Sequence, residues 1–287
     1  MTLPLKTSCV IGHPIKHSRS PLLHGFWIKQ FGLSAHYQAQ DVAPSDLPAF
    51  LNAIRDGSSV FSGGNATIPH KERLAELADV REPSAQILGA ANTFWMQDGA
   101  LHCANTDAYG FLANLDQHAP DWDSGDAKQA VVLGAGGASR AIIYGLITRG
   151  FAQILIANRT LARAQEVTNQ FQDLAAEHNC TLKTSSIEQA SEHLQSCTLL
   201  VNTTALGMVG QPALEFPLTD LNPRALVTDI VYTPLETPLL AQAKAQGNKV
   251  VDGVGMLLHQ AVPGFEKWFG VRPKVSDELR AHVLGAV

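Results

Sequence analysis

Apolar and polar positions alternate along this chain in two periods, short strand-like runs followed by helix-like stripes. Ser8 to Ile11 reads as a strand, and Pro21 to Phe31 as a helix with Ser20 as cap and Pro21 at its first position. His36 to Val42 reads as a strand, Ser45 to Arg55 as a helix and Ser59 to Phe61 as a strand. Gly63 to Pro69 then reads as a loop that leads into a helix around Lys71 to Leu77. In the second half, strands are expected up to Leu133, over Gln153 to Ala157, Thr198 to Asn202, Leu226 to Val231 and Lys249 to Asp252. Between and after them come helices, including Pro238 to Gln246 and an amphipathic helix from Met256 to Trp268 that closes the chain. The polar segment Asp116 to Lys128 is expected to be a surface loop.

Strands alternating with helices imply α/β architecture with a mainly parallel sheet. The expected organisation is two α/β domains with a cleft between them. An N-terminal, mainly parallel domain would span 1–107 and be rejoined by 255–287, and a Rossmann-type dinucleotide-binding domain would span 108–254.

At 287 residues the chain is long enough for two domains with proper cores. Hydrophobic residues make up 45% and charged residues 16%, the balance of a packed protein and not of a disordered one. A net charge of −5 argues against a general nucleic-acid or membrane surface, so any anion site must be local. Cys9, Cys103, Cys180 and Cys197 have no CxxC spacing and read as buried reduced thiols. Met1 to Arg19 has no long apolar stretch and meets Pro4, His13 and Pro14 early, which is no secretory signal. No run approaches the ~20 apolar residues of a spanning helix. A cytoplasmic setting is therefore expected, with a small-molecule partner and a monomer or homodimer. The 11 histidines are scattered along the chain, and no metal is expected.

The most specific local pattern runs from Val131 through Gly134-Ala135-Gly136-Gly137-Ala138-Ser139, with Asn158-Arg159-Thr160 after the next strand. Gly134 permits a tight turn and Gly136 lets the backbone approach a pyrophosphate. The helix opening at Gly137 offers free N–H groups and the positive end of its dipole. Ser139 stands where the third glycine of the fingerprint usually falls. Where an NAD site carries a carboxylate for the ribose, this chain has Asn158 and Arg159, with Arg163 one helical turn on. A guanidinium there suits a 2′-phosphate, so the expected cofactor is NADP. The same residues would also serve an ordinary glycine turn with two solvated arginines.

Four polar clusters lie outside that segment. Ser18-Arg19-Ser20-Pro21 places two hydroxyls at a helix start, where they could hold a carboxylate or simply start the helix. Asn65 to Lys71 puts a lysine in a first helical turn, the unfavourable end of the dipole, as a functional residue or a snorkelling one. Ala91-Asn92-Thr93 and Asn105-Thr106-Asp107 complete the set, with Asp107 either a functional carboxylate or an N-cap. Together they suit a small polyhydroxylated acid whose alcohol exchanges hydride with nicotinamide.

In order along the chain, these motifs resemble the shikimate dehydrogenase family almost end to end. The resemblance rests on Gly12 to Pro21, Asn65 to Glu72, Gly89 to Thr93, Asn105 to Asp107, Gly134 to Ala141, Asn158 to Thr160, Asn202 to Met208 and Asp252 to Leu257. It implies NADP-dependent interconversion of 3-dehydroshikimate and shikimate, a step of aromatic amino-acid biosynthesis. It implies Lys71 and Asp107 as the catalytic pair, with Ser18 and Ser20 on the substrate carboxylate and Tyr232 near it. Asn65, Thr67, Asn92 and Gln260 would hold the ring hydroxyls. The implied cofactor set is Gly134, Ala135, Gly136, Gly137, Ala138, Asn158, Arg159, Thr160, Arg163, Thr203, Thr204, Met208, Ile230, Gly253 and Met256. The chain departs from the family's commonest pattern at Ala66, Cys103 and Thr203-Thr204-Ala205. The competing expectations are a quinate/shikimate dehydrogenase of broader substrate and cofactor use, and a noncatalytic NADP-sensing module.

Overall fold

The computed structural model describes residues 6–125 and 128–285, so Met1 to Leu5 and two residues of the polar segment before Lys128 lie outside it. Among the described residues the chain forms two compact units. One holds the chain up to Asp107 and again from Leu258 onward, and the other Ala108 to Leu257. The return to the first unit comes at Leu258 and not at 255. Gly255 is pressed against Asn114 of the second unit, where an added Cβ would fall 1.7 Å from the amide oxygen.

In the first unit a six-stranded sheet runs Ala35–Asp41, Lys6–Gly12, Phe61–Ala66, Thr93–Gln97, Ala100–Ala104, Val80–Arg81 across its width. The first three strands are mutually parallel, but Thr93–Gln97 runs against both its neighbours. The stretch Gly63 to Ala66 is strand and not loop, for a steric reason. A Cβ at Gly64 would meet the Cys9 carbonyl oxygen at 2.2 Å and one at Gly63 the Phe94 oxygen at 2.5 Å. Glycine is what allows backbones to approach this closely inside a sheet. Leu47, Leu51, Leu74, Phe94 and Leu101 are buried in the core against it.

Ser20 lies inside the helix Ser20–Gln30 and does not cap it; Ser18 Oγ accepts the Ser20 N–H at 3.3 Å instead. The expected helix Met256 to Trp268 is two helices, Val254–His259 and Ala261–Phe269. Pro263 breaks it, because proline has no N–H to offer the His259 carbonyl and its ring crowds that oxygen. A further helix, Asp277–Leu284, follows.

In the second unit every pairing is parallel, and the strands run Lys249–Val251, Leu226–Asp229, Leu199–Asn202, Gln129–Leu133, Gln153–Ala157, Thr181–Ser185. In chain order this is 6-5-4-1-2-3, the doubly wound dinucleotide-binding order. Its switch point lies between Gln129–Leu133 and Leu199–Asn202, so the turns after Leu133 and Asn202 flank the place where such sheets take ligands. The helix Leu161–Glu177 supplies the crossover between the fifth and sixth positions of that row. No helix among the described residues is long and apolar enough to cross a membrane.

Candidate active site

Because Thr93–Gln97 is antiparallel to its neighbours, its start lies at the same sheet edge as the ends of Phe61–Ala66 and Ala100–Ala104. That edge gathers Asn65 and Thr67, the following helix Lys71–Leu77, Asn92, and the Asn105-Thr106-Asp107 turn. Lys71 Nζ stands 2.6 Å from Asp107 Oδ2, both half-buried at 32% and 16% side-chain exposure. The other carboxylate oxygen accepts from Asn92 Nδ2 at 2.8 Å. Asp107 does not cap its helix: it is the first helical residue of Asp107–His118, and its own N–H donates to Asn105 Oδ1 at 3.0 Å. The carboxylate is therefore held at both oxygens, with the ammonium on one side and an amide on the other.

Asn92 is fixed in turn. Its Oδ1 accepts from the Thr106 N–H at 2.9 Å and from the Thr106 and Thr93 hydroxyls at 3.0 and 3.1 Å. Its Nδ2 also lies 3.4 Å from Gln260 Oε1, at the cap of Ala261–Phe269. Asn65 is more deeply set, 5% exposed. Its Oδ1 accepts from Tyr37 Oη at 2.7 Å and lies 3.2 Å from His24 Nε2, while its Nδ2 donates to the Asn92 carbonyl and Thr93 Oγ1. All four positions of this amide are used inside the protein, so binding a ring hydroxyl would exchange one of them.

Tyr37 and His24 are members of this site that the sequence motifs did not single out. Tyr37 donates to Asn65, and burial pushes its phenol well above the ordinary value. His24 is enclosed by Trp27, Tyr37, Phe265 and Trp268, and burial lowers it to about 3, against the pull of its Asn65 bond. It is neutral at any physiological pH. Apolar burial in the sequence hides such residues: a histidine and a tyrosine on core-facing positions look like packing. Ser18 and Thr67 are half-buried, and the Thr67 N–H donates to the Ile11 carbonyl at 2.9 Å.

The second unit carries the remaining candidates. Gly134 has φ +111°, and a Cβ there would fall 2.5 Å from Thr203 Oγ1, so only glycine fits. Nothing lies within 4 Å of a Cβ built at Gly136 or Gly137. The backbone of this turn is open where a ligand would approach. No side chain caps the helix Gly137–Thr148 that follows, leaving its first N–H groups and those of Ala135 and Ala138 at an anion-favouring end. Buried Ser139 replaces the third glycine by folding its hydroxyl back onto the Gly136 carbonyl at 2.7 Å. Thr203 Oγ1 likewise bonds the Leu133 carbonyl at 2.7 Å, so the departure at this position locks the two turns together.

Asn158, Arg159, Thr160, Arg163 and Thr204 line one cavity of about 550 Å³, floored by the apolar Ile187, Leu206 and Leu214. Arg159 and Arg163 make no ion pair among the described residues. Two free guanidiniums beside an apolar floor and a glycine turn fit an adenosine 2′-phosphate and its pyrophosphate. Farther along, a Cβ at Gly253 would strike the Ile230 carbonyl at 2.4 Å. Met256 is half-buried in Val254–His259, Met208 stands exposed in a turn, and Tyr232 follows the end of Leu226–Asp229. Burial raises the Asp229 carboxyl above its ordinary value against three donors, Thr237, Val231 and Asn202. Among the described residues no cluster of three or more His, Cys, Asp or Glu is arranged to hold a metal, and all four cysteines are buried and unpaired.

Comparison with known proteins agrees with this geometry. Residues 10–94 match the shikimate dehydrogenase substrate binding domain, 118–208 the shikimate / quinate 5-dehydrogenase model, and 253–277 the shikimate 5′-dehydrogenase C-terminal domain. The NADP(+) shikimate dehydrogenase of Mesorhizobium japonicum is 53% identical over 279 residues, covering 97% of this chain and 96% of its own. The shikimate 5-dehydrogenase of Thermus thermophilus, solved with NADP(H) and shikimate, aligns at TM-score 0.83 and 33% identity over 98% of this chain and 100% of its own. The quinate dehydrogenase of Corynebacterium glutamicum, solved with NAD, aligns at TM-score 0.87 and 29% identity over 98% of this chain and 99% of its own. With the family's domains matched in order and half of its residues shared with a full-length relative, the chain belongs to the shikimate dehydrogenase family of NADP-linked oxidoreductases.

Proposed function

We propose that this protein interconverts 3-dehydroshikimate and shikimate with NADP(H), through Lys71 and Asp107. The observation that carries the reading is the Lys71–Asp107 pair at 2.6 Å, with Asn92 on the second carboxylate oxygen. When bound, NADPH supplies the hydride that reduces the C3 ketone. Lys71 donates a proton to the oxygen that becomes the alcohol, and Asp107 aims the ammonium. In the oxidative direction the Lys71 amine takes that proton. Ser18 and Ser20, with Tyr232, bind the substrate carboxylate; Thr67, Asn92, Gln260 and Asn65 read the ring hydroxyls. Gly134 to Ala138 receive the pyrophosphate, and Arg159 and Arg163, with Asn158 and Thr160, hold the 2′-phosphate. Thr203, Thr204, Met208, Ile230, Gly253 and Met256 form the remaining cofactor wall. The protein works in the cytoplasm as a monomer or homodimer, with no nucleic-acid or membrane partner.

The likeness to a quinate dehydrogenase solved with NAD supports a second reading, broader use of substrate and cofactor. Absorbance of reduced nicotinamide, with shikimate or quinate and NADP or NAD in all four combinations, separates them. Rapid reduction with shikimate and NADP alone is expected. Comparable rates with quinate or NAD would move the protein to the broader relative, and no reaction in any combination would leave a noncatalytic NADP-sensing module.

A further inference from the structure

We propose that Asp229, which makes no part of the glycine turn or the arginine pair, is the positioning residue that presets the two loops of the cofactor wall. The inference rests on the reading of the second unit as the NADP-binding one. Asp229 ends the strand Leu226–Asp229 and is 1% exposed. A buried carboxylate is costly unless hydrogen bonds replace its water. Here three do so, each from a different piece of chain. Thr237 Oγ1 donates to Oδ2 at 2.7 Å, while the Val231 N–H and Asn202 Nδ2 both donate to Oδ1 at 3.0 Å.

Those bonds reach both loops. Asn202 is fully buried, and its own Oδ1 accepts the Thr204 N–H at 3.0 Å and the Thr204 hydroxyl at 2.8 Å. Its Nδ2 also reaches the Leu206 carbonyl at 3.2 Å. Orienting the Asn202 amide therefore sets the turn that brings Thr204 and Leu206 to the cofactor cavity. On the other side, Val231 lies in the loop that carries Ile230 and Tyr232, and Thr237 closes it by capping the helix Pro238–Ala245. The Val209 N–H then joins the two loops by donating to the Thr233 carbonyl at 2.8 Å. One anion thus fixes two loops at adjacent strand ends. An amide in its place would face Thr237 Oγ1 with an NH2, so that hydroxyl, which already accepts the Leu240 N–H, would have to give up its donation, which a buried network tolerates badly.

The test is Asp229→Asn, with NADPH affinity followed by nucleotide fluorescence and loop order by amide hydrogen exchange. We expect Kd for NADPH to rise about 10-fold, and exchange at Thr204, Leu206 and Val231 to quicken about as much, while amides of Gly137–Thr148 keep wild-type protection. Unchanged exchange in a folded variant would overturn the proposal whatever the nucleotide does. Faster exchange with unchanged Kd would overturn the positioning role and leave a merely structural one. Wild-type protein that fails to bind NADPH would overturn the functional reading instead, while the exchange comparison still judges the loops. Should Asp229→Asn not fold, Thr237→Val removes the donor to Oδ2 together with the cap on the Leu240 N–H, and is expected to shift both readouts the same way, about 3-fold.

Discussion

Asn92 Nδ2 lies 2.8 Å from Asp107 Oδ1, while the amide oxygen of the same side chain accepts the Thr106 N–H at 2.9 Å. The backbone of the Asn105-Thr106-Asp107 turn thus orients the amide that orients the carboxylate facing Lys71. Three short segments, remote in sequence, act as one constellation, and its members are expected to fail together.

Lys71→Ala should lower kcat about 10²- to 10⁴-fold with a modest change in KM for shikimate, the range expected for loss of a general acid–base. Unchanged kcat would remove Lys71 from the chemistry. Asp107→Asn tests the partner: a double variant no slower than the slower single one would show that the two work as a unit, whereas additive losses would show independent roles.

Arg159→Ala should weaken NADPH about 10- to 100-fold, the scale of one or two charge-assisted hydrogen bonds, and leave NADH nearly untouched. Binding titrations with both nucleotides decide it. Equal losses would place Arg159 away from the 2′-phosphate.

His24 makes a prediction about pH. Burial lowers it from 6.5 to about 3 in the fold, so the unfolded chain takes up a proton that the folded one refuses. The stability this contributes is fully present above pH 6.5 and is lost as pH falls through that value toward 3. One proton corresponds to about 1.4 kcal/mol per pH unit, or about 2 kcal/mol between pH 6.5 and 5. Urea midpoints at those two pH values should therefore draw closer together in His24→Phe than in the wild type. An equal spread in both proteins would mean that His24 takes up its proton in the fold.

Gly64→Ala should destabilise the first unit by on the order of 3 kcal/mol or prevent folding, since the new methyl lands on a sheet carbonyl that cannot move alone. Thermal unfolding of the variant beside Gly57→Ala, whose Cβ would meet nothing within 4 Å, separates close approach from turn strain at a φ of +76°. A Gly64→Ala protein as stable as the wild type would refute the steric account of this strand.

Much of this protein was legible in its sequence because the deciding physics is local. The strand–turn–helix at Gly134 to Ser139, the arginines at 159 and 163, and Lys71 at a helix start depend on residues a few positions apart, and chemistry at that spacing can be read along a line. The all-parallel second sheet followed from alternating strands and helices for the same reason. Where neighbours in space are distant in sequence, the line is silent. Gly63 and Gly64 looked like loop because glycine marks turns more often than close sheet contacts, and the contact that demands them comes from Cys9 and Phe94. Tyr37 and His24 looked like core because their one polar partner, Asn65, is reached only across the sheet. The meeting of Lys71, Asn92 and Asp107 is likewise a tertiary decision. It requires Thr93–Gln97 to run antiparallel to both neighbours, so that its start shares an edge with their ends. Composition and periodicity determined which residues could do the chemistry; strand direction, a property of the assembled sheet, decided that they stand within hydrogen-bonding distance.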